Sequence, residues 1–131
     1  MDTIESSVKF NQDGLLCTVV QDVDTKSVLM VAWMNKEALN QTIKTGLAHY
    51  YSRSRQKQWL KGEESGHLQK VHSLHIDCDG DTLLLQVEQV GGIACHTGHQ
   101  SCFYRKLQGG ELVETAPVIK HAQDIYGSKM P

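Results

Sequence analysis

Two apolar stretches set close together constrain this fold most. Leu15 to Gln21 (LLCTVVQ) is rich in apolar and β-branched residues, and Ser27 to Met34 (SVLMVAWM) is apolar almost without a break. The residues between them, Asp22-Val-Asp-Thr-Lys26, have the polar chemistry of a turn. The pair predicts a β-hairpin whose second strand is buried on both faces.

A short helix follows. Asn35 is placed to cap it, Lys36 to Thr45 fill it, Leu39 and Ile43 supply its apolar stripe, and Gly46 stands at its C-terminal turn. Ala48 to Ser54 reads as a further strand, and the polar stretch Gln56 to Gly66 as a loop. Gln69 to Asp79 alternates: Leu74, Ile76 and Cys78 fall on one side, His75, Asp77 and Asp79 on the other. Asp79-Gly80 is a favourable hairpin dipeptide, with Leu83 to Val90 as the returning strand and Gly91-Gly92 as its end. Phe103 to Leu107 suggests one more strand. Gly109-Gly110 opens a tail in which Val118 to Tyr126 forms a last helix. These elements predict an α+β domain, predominantly antiparallel β with one or two short helices. The 131 residues, without repeat or linker, form a single domain.

Composition excludes several classes. Thirteen Lys and Arg against fifteen Asp and Glu give a net charge of −2, without the basic bias of a general nucleic-acid binder. The longest apolar run, Leu29 to Met34, is far short of the roughly 20 residues that cross a bilayer. The N-terminus has no secretory pattern, so a reducing, cytoplasmic setting is expected. There, Cys17, Cys78, Cys95 and Cys102 are ligands or catalysts more readily than disulfides. Cys17, in an apolar strand, is expected in the core, as is Trp33.

Two constellations carry chemistry. In Asp77-Cys-Asp-Gly-Asp81, three carboxylates within five residues repel one another unless something neutralises them, and a hard cation such as Mg²⁺ does so. The alternative is a solvated acidic hairpin tip. In Cys95-His-Thr-Gly-His-Gln-Ser-Cys102, two thiols and two imidazoles in a glycine-containing loop suit Zn²⁺. The alternative is two buried cysteines with surface histidines. Cys78, on the side of its strand opposite Asp77 and Asp79, adds a third sulfur. Three protein ligands leave a fourth position for water, the arrangement of a catalytic zinc.

The chain resembles the phosphoribosyl-AMP cyclohydrolases, enzymes of the third step of histidine biosynthesis. The resemblance rests on Val31-Ala-Trp-Met-Asn35, Tyr51-Ser-Arg-Ser-Arg55, Trp59-Leu-Lys-Gly-Glu-Glu-Ser-Gly-His67, Asp77-Cys-Asp-Gly-Asp81, Ala94-Cys-His-Thr-Gly98 and Ser101-Cys-Phe-Tyr-Arg105. These stand in the family's order over residues 10–107. Glu64 departs from the family's more usual Thr. The tail, 108–131, is too short for the pyrophosphohydrolase domain fused in some members, which implies a monofunctional enzyme.

The resemblance implies an intertwined homodimer in which Cys78 of one chain joins Cys95 and Cys102 of the other around zinc. Asp77, Asp79 and Asp81 would hold Mg²⁺. It implies attack of a zinc-bound hydroxide on C6 of N1-(5-phosphoribosyl)-AMP and opening of the C6–N1 bond. His96, beside Cys95, is the first choice for proton transfer; His99 is expected at the surface. Arg53 and Arg55, alternating on a strand, together with Lys61, Ser65 and Gly66, are candidates for the substrate's two phosphates. Trp33 and Trp59 are candidates to stack on the purine, and His67 is a weaker contact candidate. A zinc deaminase is the runner-up, but the His-x-Glu and Pro-Cys-x-x-Cys that it needs are absent. A structural zinc module would instead fill the fourth position with protein.

Overall fold

The computed structural model describes residues 3–126. The chain runs α1 (Ile4–Ser7), β1 (Leu16–Asp22), β2 (Val28–Met34), α2 (Lys36–Thr45), β3 (His49–Ser52), β4 (Lys57–Leu60), β5 (Gln69–Ile76), β6 (Thr82–Gln89), β7 (Arg105–Gln108), β8 (Glu111–Glu114) and α3 (Ala122–Tyr126). This is the α+β class expected, with three short helices among the described residues rather than one or two.

A four-stranded sheet, in the order β2-β1-β6-β5, frames the molecule. It consists of two antiparallel hairpins. The first, β1–β2, sets Leu16 opposite Met34 and Val20 opposite Met30. The second, β5–β6, sets Leu74 opposite Leu85 and Ile76 opposite Leu83. They meet along a parallel seam of β1 and β6, where Val20 lies opposite Leu85.

One face of this sheet carries Leu16, Val20, Met34, Leu83, Leu85 and Val87, all inaccessible to solvent. Full burial of such side chains contributes about 1.5–3 kcal/mol each. Against them pack α2, through Ala38 and Leu39, and β3, through Tyr50. The start of α2 is held by the Asn35 side chain, which accepts from the Ala38 amide at 2.9 Å, and its end by Gly46 at φ 75°.

The inner residues of α2 differ from the expected stripe. Ile43 is half exposed, whereas Thr42 is buried. The Thr42 hydroxyl donates to the Ala38 carbonyl at 2.8 Å and accepts from the His49 amide at 3.0 Å, so its burial leaves no polar group unanswered. A polar chain also threads the core. The Tyr50 hydroxyl donates to Gln69 Oε1 (2.5 Å), Gln69 Nε2 to Gln89 Oε1 (2.8 Å), and Gln89 Nε2 to the His67 carbonyl (3.0 Å). It ties β3, β5 and β6 to the loop that precedes β5.

The opposite face of the sheet is open. Val28 and Val31 are 43% and 44% exposed, and Trp33 is half-buried. The expectation that β2 is buried on both faces is therefore corrected: its unbroken apolar run faces the core on one side and an uncovered surface on the other. Cys17 and Trp33, opposite one another across β1 and β2, lie on that open face rather than in the core.

Other boundaries shift. Gln56 to Gly66 is not wholly loop, because β4 pairs with β3, placing Trp59 opposite Tyr50. Gly109-Gly110 turns a further hairpin, β7–β8, instead of opening an irregular tail. Every residue of β7 and β8 is exposed. The last helix begins at Ala122, not Val118, because Ile119 instead donates its amide to the Gly98 carbonyl at 2.8 Å.

Candidate functional site

The thiol loop is a small hairpin of its own. Ala94 donates to the Gln100 carbonyl (3.1 Å), Cys95 to His99 (3.2 Å), and Gly98 back to Cys95 (2.9 Å). Gly98 sits at φ +91°, with the Lys120 carbonyl against its Cα, where a side chain would collide. Beyond the turn, the Cys102 amide donates to the Leu29 carbonyl (2.7 Å), and Ser101 Oγ to the Val28 carbonyl (2.7 Å). Leu29 and Val28 thus anchor the second thiol to β2.

Cys95 is buried and Cys102 exposed. The neighbouring Cys102 thiol leads in drawing the Cys95 thiol down to about 5, against burial, with help from Thr97 and the charge of His96. The neighbouring Cys95 thiol in turn pushes Cys102 up. Lys61, at the end of β4, donates its ammonium to the Ala94 carbonyl at 2.6 Å. Burial pulls the Lys61 pKa down, and the nearby Cys102 and Cys95 thiols act against that.

His96 is exposed beside Cys95. His99, by contrast, is buried at 3% exposure, so its expected surface position is corrected. Its ring stacks on Tyr104 with centroids 3.5 Å apart and planes 4° from parallel. Its Nδ1 lies 2.7 Å from Thr97 Oγ1, which donates to Cys95 Sγ at 3.0 Å. Neither Thr97 nor Tyr126 was singled out by the sequence. Tyr126, on α3, reaches Ser65 and the neighbourhood of Cys95; burial leads in raising its phenol, while a Ser65 hydrogen bond lowers it. A threonine two residues after a candidate ligand, followed by glycine, is the signal that could have flagged Thr97.

The acidic tip converges as expected, although β5 stops at Ile76 and the tip is a turn. Gly80 (φ +80°) allows it, and Asp77 Oδ1 accepts from the amides of Gly80, Asp81 and Thr82 at 3.0, 3.1 and 3.2 Å. One oxygen from each of Asp77, Asp79 and Asp81 lies within 4.8 Å of the others. Hydrogen bonding with Asp77 and Asp81, then their charge, raises the Asp79 carboxyl. Three hard oxygens crowded enough to hold back a proton fit a divalent cation. This is the one such group of three or more potential ligands among the described residues, so Cys78 of the same chain does not join Cys95 and Cys102. Cys78 is exposed beside the triad.

Arg53 and Arg55 do not lie on a strand, because β3 ends at Ser52 and both occupy the turn into β4. They still share one cleft, of ≈ 550 Å³, with Trp33 and Trp59. The Arg53 guanidinium stacks over the Trp33 ring at 4.7 Å. Trp33 also lines a second cleft with Cys17, Asp79 and Asp81. Burial, then the charges of Asp81 and Asp77, raise the Cys17 thiol. The basic cleft and the acidic tip therefore meet at one indole. Ser65 Oγ accepts from the His67 amide at 3.1 Å, and Gly66 adopts φ +82°.

A thiol pair and a carboxylate triad thus stand on one small α+β scaffold, with an arginine cleft between two indoles. The model of the phosphoribosyl-AMP cyclohydrolase family matches residues 30–104. A phosphoribosyl-AMP cyclohydrolase of Neisseria gonorrhoeae is 62% identical over 122 residues, 93% of each chain. That of Nitrosospira multiformis is 56% identical over 128 residues, 98% of each. That of Chromobacterium violaceum is 55% identical over 119 residues, 91% of this chain and 90% of its own. The chain belongs to the phosphoribosyl-AMP cyclohydrolase family.

Proposed function

We propose that this protein hydrolyses N1-(5-phosphoribosyl)-AMP, opening the adenine ring at C6–N1, in the third step of histidine biosynthesis in the cytoplasm. Membership of the family, together with Cys95 and Cys102 on one loop and the Asp77, Asp79 and Asp81 carboxylates gathered at one turn, carries this reading. Cys95 and Cys102, with Cys78 of the partner subunit, would hold zinc; when bound, zinc acidifies a ligated water to near neutral pH and so supplies a nucleophile. Asp77, Asp79 and Asp81 would hold Mg²⁺.

The chain's own side chains do the rest. Arg53 and Arg55 grip one phosphate, with Trp33 and Trp59 flanking the base. Lys61 and the backbone around Ser65 and Gly66 face the other phosphate. His96, exposed beside Cys95, takes a proton from the water that adds to C6 and returns one to N1 as the C6–N1 bond opens.

The active form is an intertwined homodimer. Three observations support it: Cys78 stands apart from the other two thiols, the β2 face exposes Val28 and Val31, and the β7–β8 hairpin exposes Leu107 and Leu112. A two-stranded hairpin is marginal alone in water and gains by packing against another chain. The test mixes two inactive variants, Cys78→Ala and Cys95→Ala. Mixed dimers carry one intact site and should regain up to half the activity per dimer. Verified mixed dimers without activity would overturn the shared site. If Cys95→Ala kept full turnover, the thiol-based reading of the reaction would fail.

A further inference from the structure

We infer that His99 is a positioning residue that, through Thr97, keeps a hydroxyl donor aimed at the Cys95 sulfur. The inference rests on Cys95 being a metal ligand, as proposed above, and extends it to residues that touch neither ion nor substrate.

Proton counting carries the argument. The Thr97 hydroxyl has one proton and touches two partners, Cys95 Sγ at 3.0 Å and His99 Nδ1 at 2.7 Å. It can donate to the sulfur only if His99 donates to it, which requires the proton on Nδ1. With the proton on Nε2 instead, Nδ1 becomes an acceptor, the Thr97 hydroxyl turns toward it, and the sulfur loses its donor. The ring's tautomer thus selects which way the hydroxyl points.

The rest of the site holds the ring for that task. His99 is buried, and its Nε2 has no hydrogen-bond partner among the described residues. Burying a ring nitrogen unanswered is unfavourable, and such groups persist where something else fixes them. Here Nδ1 and the flat stack on Tyr104 hold the ring. Tyr104 is itself held at its carbonyl by the Thr115 amide, at 2.8 Å. The Cys95–His99 backbone bond keeps the relay's two ends in register. Groups that donate to a metal thiolate keep it ionised and temper its electron donation, and their loss typically weakens the metal by tenfold or more.

The test uses cobalt(II) in place of zinc on the full-length dimer, reading affinity by competition with a chromophoric chelator and the sulfur-to-cobalt charge-transfer band. Thr97→Val and His99→Phe, which keeps the stack but not the donor, should each weaken cobalt by about tenfold and move the band to lower energy. Combining them should cost no more than either alone, because they break one chain of bonds. Thr97→Ser and His99→Asn, whose amide nitrogen falls near the Nδ1 position, should stay within about threefold of the parent. His99→Gln, whose amide falls at the Nε2 end, should behave like His99→Phe and serves should that variant fail to fold. Turnover should fall in kcat with KM unchanged. A His99→Phe protein with the parent's band and affinity would overturn the inference, as would additive losses. A parent protein without a charge-transfer band, or one whose band survives Cys95→Ala, would instead overturn the metal reading beneath it.

Discussion

Gly98→Ala separates backbone strain from the closure of the C-terminal segment over the thiol turn. Two costs apply. At φ +91° an alanine carries a left-handed penalty of about 1–2 kcal/mol. Its Cβ would also fall 1.7 Å from the Lys120 carbonyl oxygen and 3.0 Å from a Val118 methyl. Ordinary contact needs about 3.5 Å, so the segment must retreat by about 2 Å. That breaks the Ile119-to-Gly98 bond of 2.8 Å, worth about 1 kcal/mol net.

The control is Gly46→Ala, at φ +75° with no atom within 4 Å of the added carbon, which bears only the backbone cost. Urea unfolding should therefore give a loss of about 2–3 kcal/mol for Gly98→Ala and about 1–2 for Gly46→Ala. Hydrogen exchange adds a local readout. The Ile119 amide should exchange about fivefold faster in Gly98→Ala, the factor set by one lost net hydrogen bond, and remain protected in Gly46→Ala. Equal stability losses in the two variants, with Ile119 equally protected, would refute the reasoning.

Three further outcomes follow from the same geometry. In metal-free protein, Cys95 ionises near pH 5 when folded and near its ordinary 9.0 when unfolded. Its stabilising contribution should be complete above pH 9 and fade as pH drops toward 5; urea midpoints measured across that range, against Cys95→Ser, check it. Asp79→Asn removes one of three crowded carboxylates and should raise the Mg²⁺ needed for half-maximal activity about tenfold, by analogy with the loss of a supporting ligand; an unchanged titration makes the tip purely structural. Arg55→Ala should raise KM about tenfold or more with little change in kcat, as loss of a charge-assisted phosphate contact does; steady-state kinetics read it directly.

The parts of the fold that announce themselves are those whose local chemistry agrees with their final setting. The Asn35 cap, the Gly46 stop and the Asp-Gly turn at residues 79 and 80 each solve a backbone problem within a few residues, so they read directly. β4 was hidden because Lys57, Gln58 and Trp59 show no two-sided pattern; its strand exists through Tyr50 on β3. Gly109-Gly110 has hairpin chemistry, yet the exposed β8 beyond it lacks the apolar face that would confirm one. At the site, the acidic triad was legible because proximity in sequence became proximity in space. His99 was not. Its burial depends on a stack with Tyr104 and a threonine hydroxyl, contacts that no hydrophobic pattern records. Cys17 and Trp33 misled in the other direction, since an apolar strand does not say which of its faces a single chain can cover.

The seam between β1 and β6 bears on how the molecule comes to exist. Each flanking hairpin closes over a few residues, but the seam joins Val20 to Leu85 and needs nearly the whole frame to have been synthesised first. The cysteine turn and the segment that presses on it lie further along still. On an emerging polypeptide, the scaffold can therefore be assembled before the loop of Cys95 and Cys102 is laid against it.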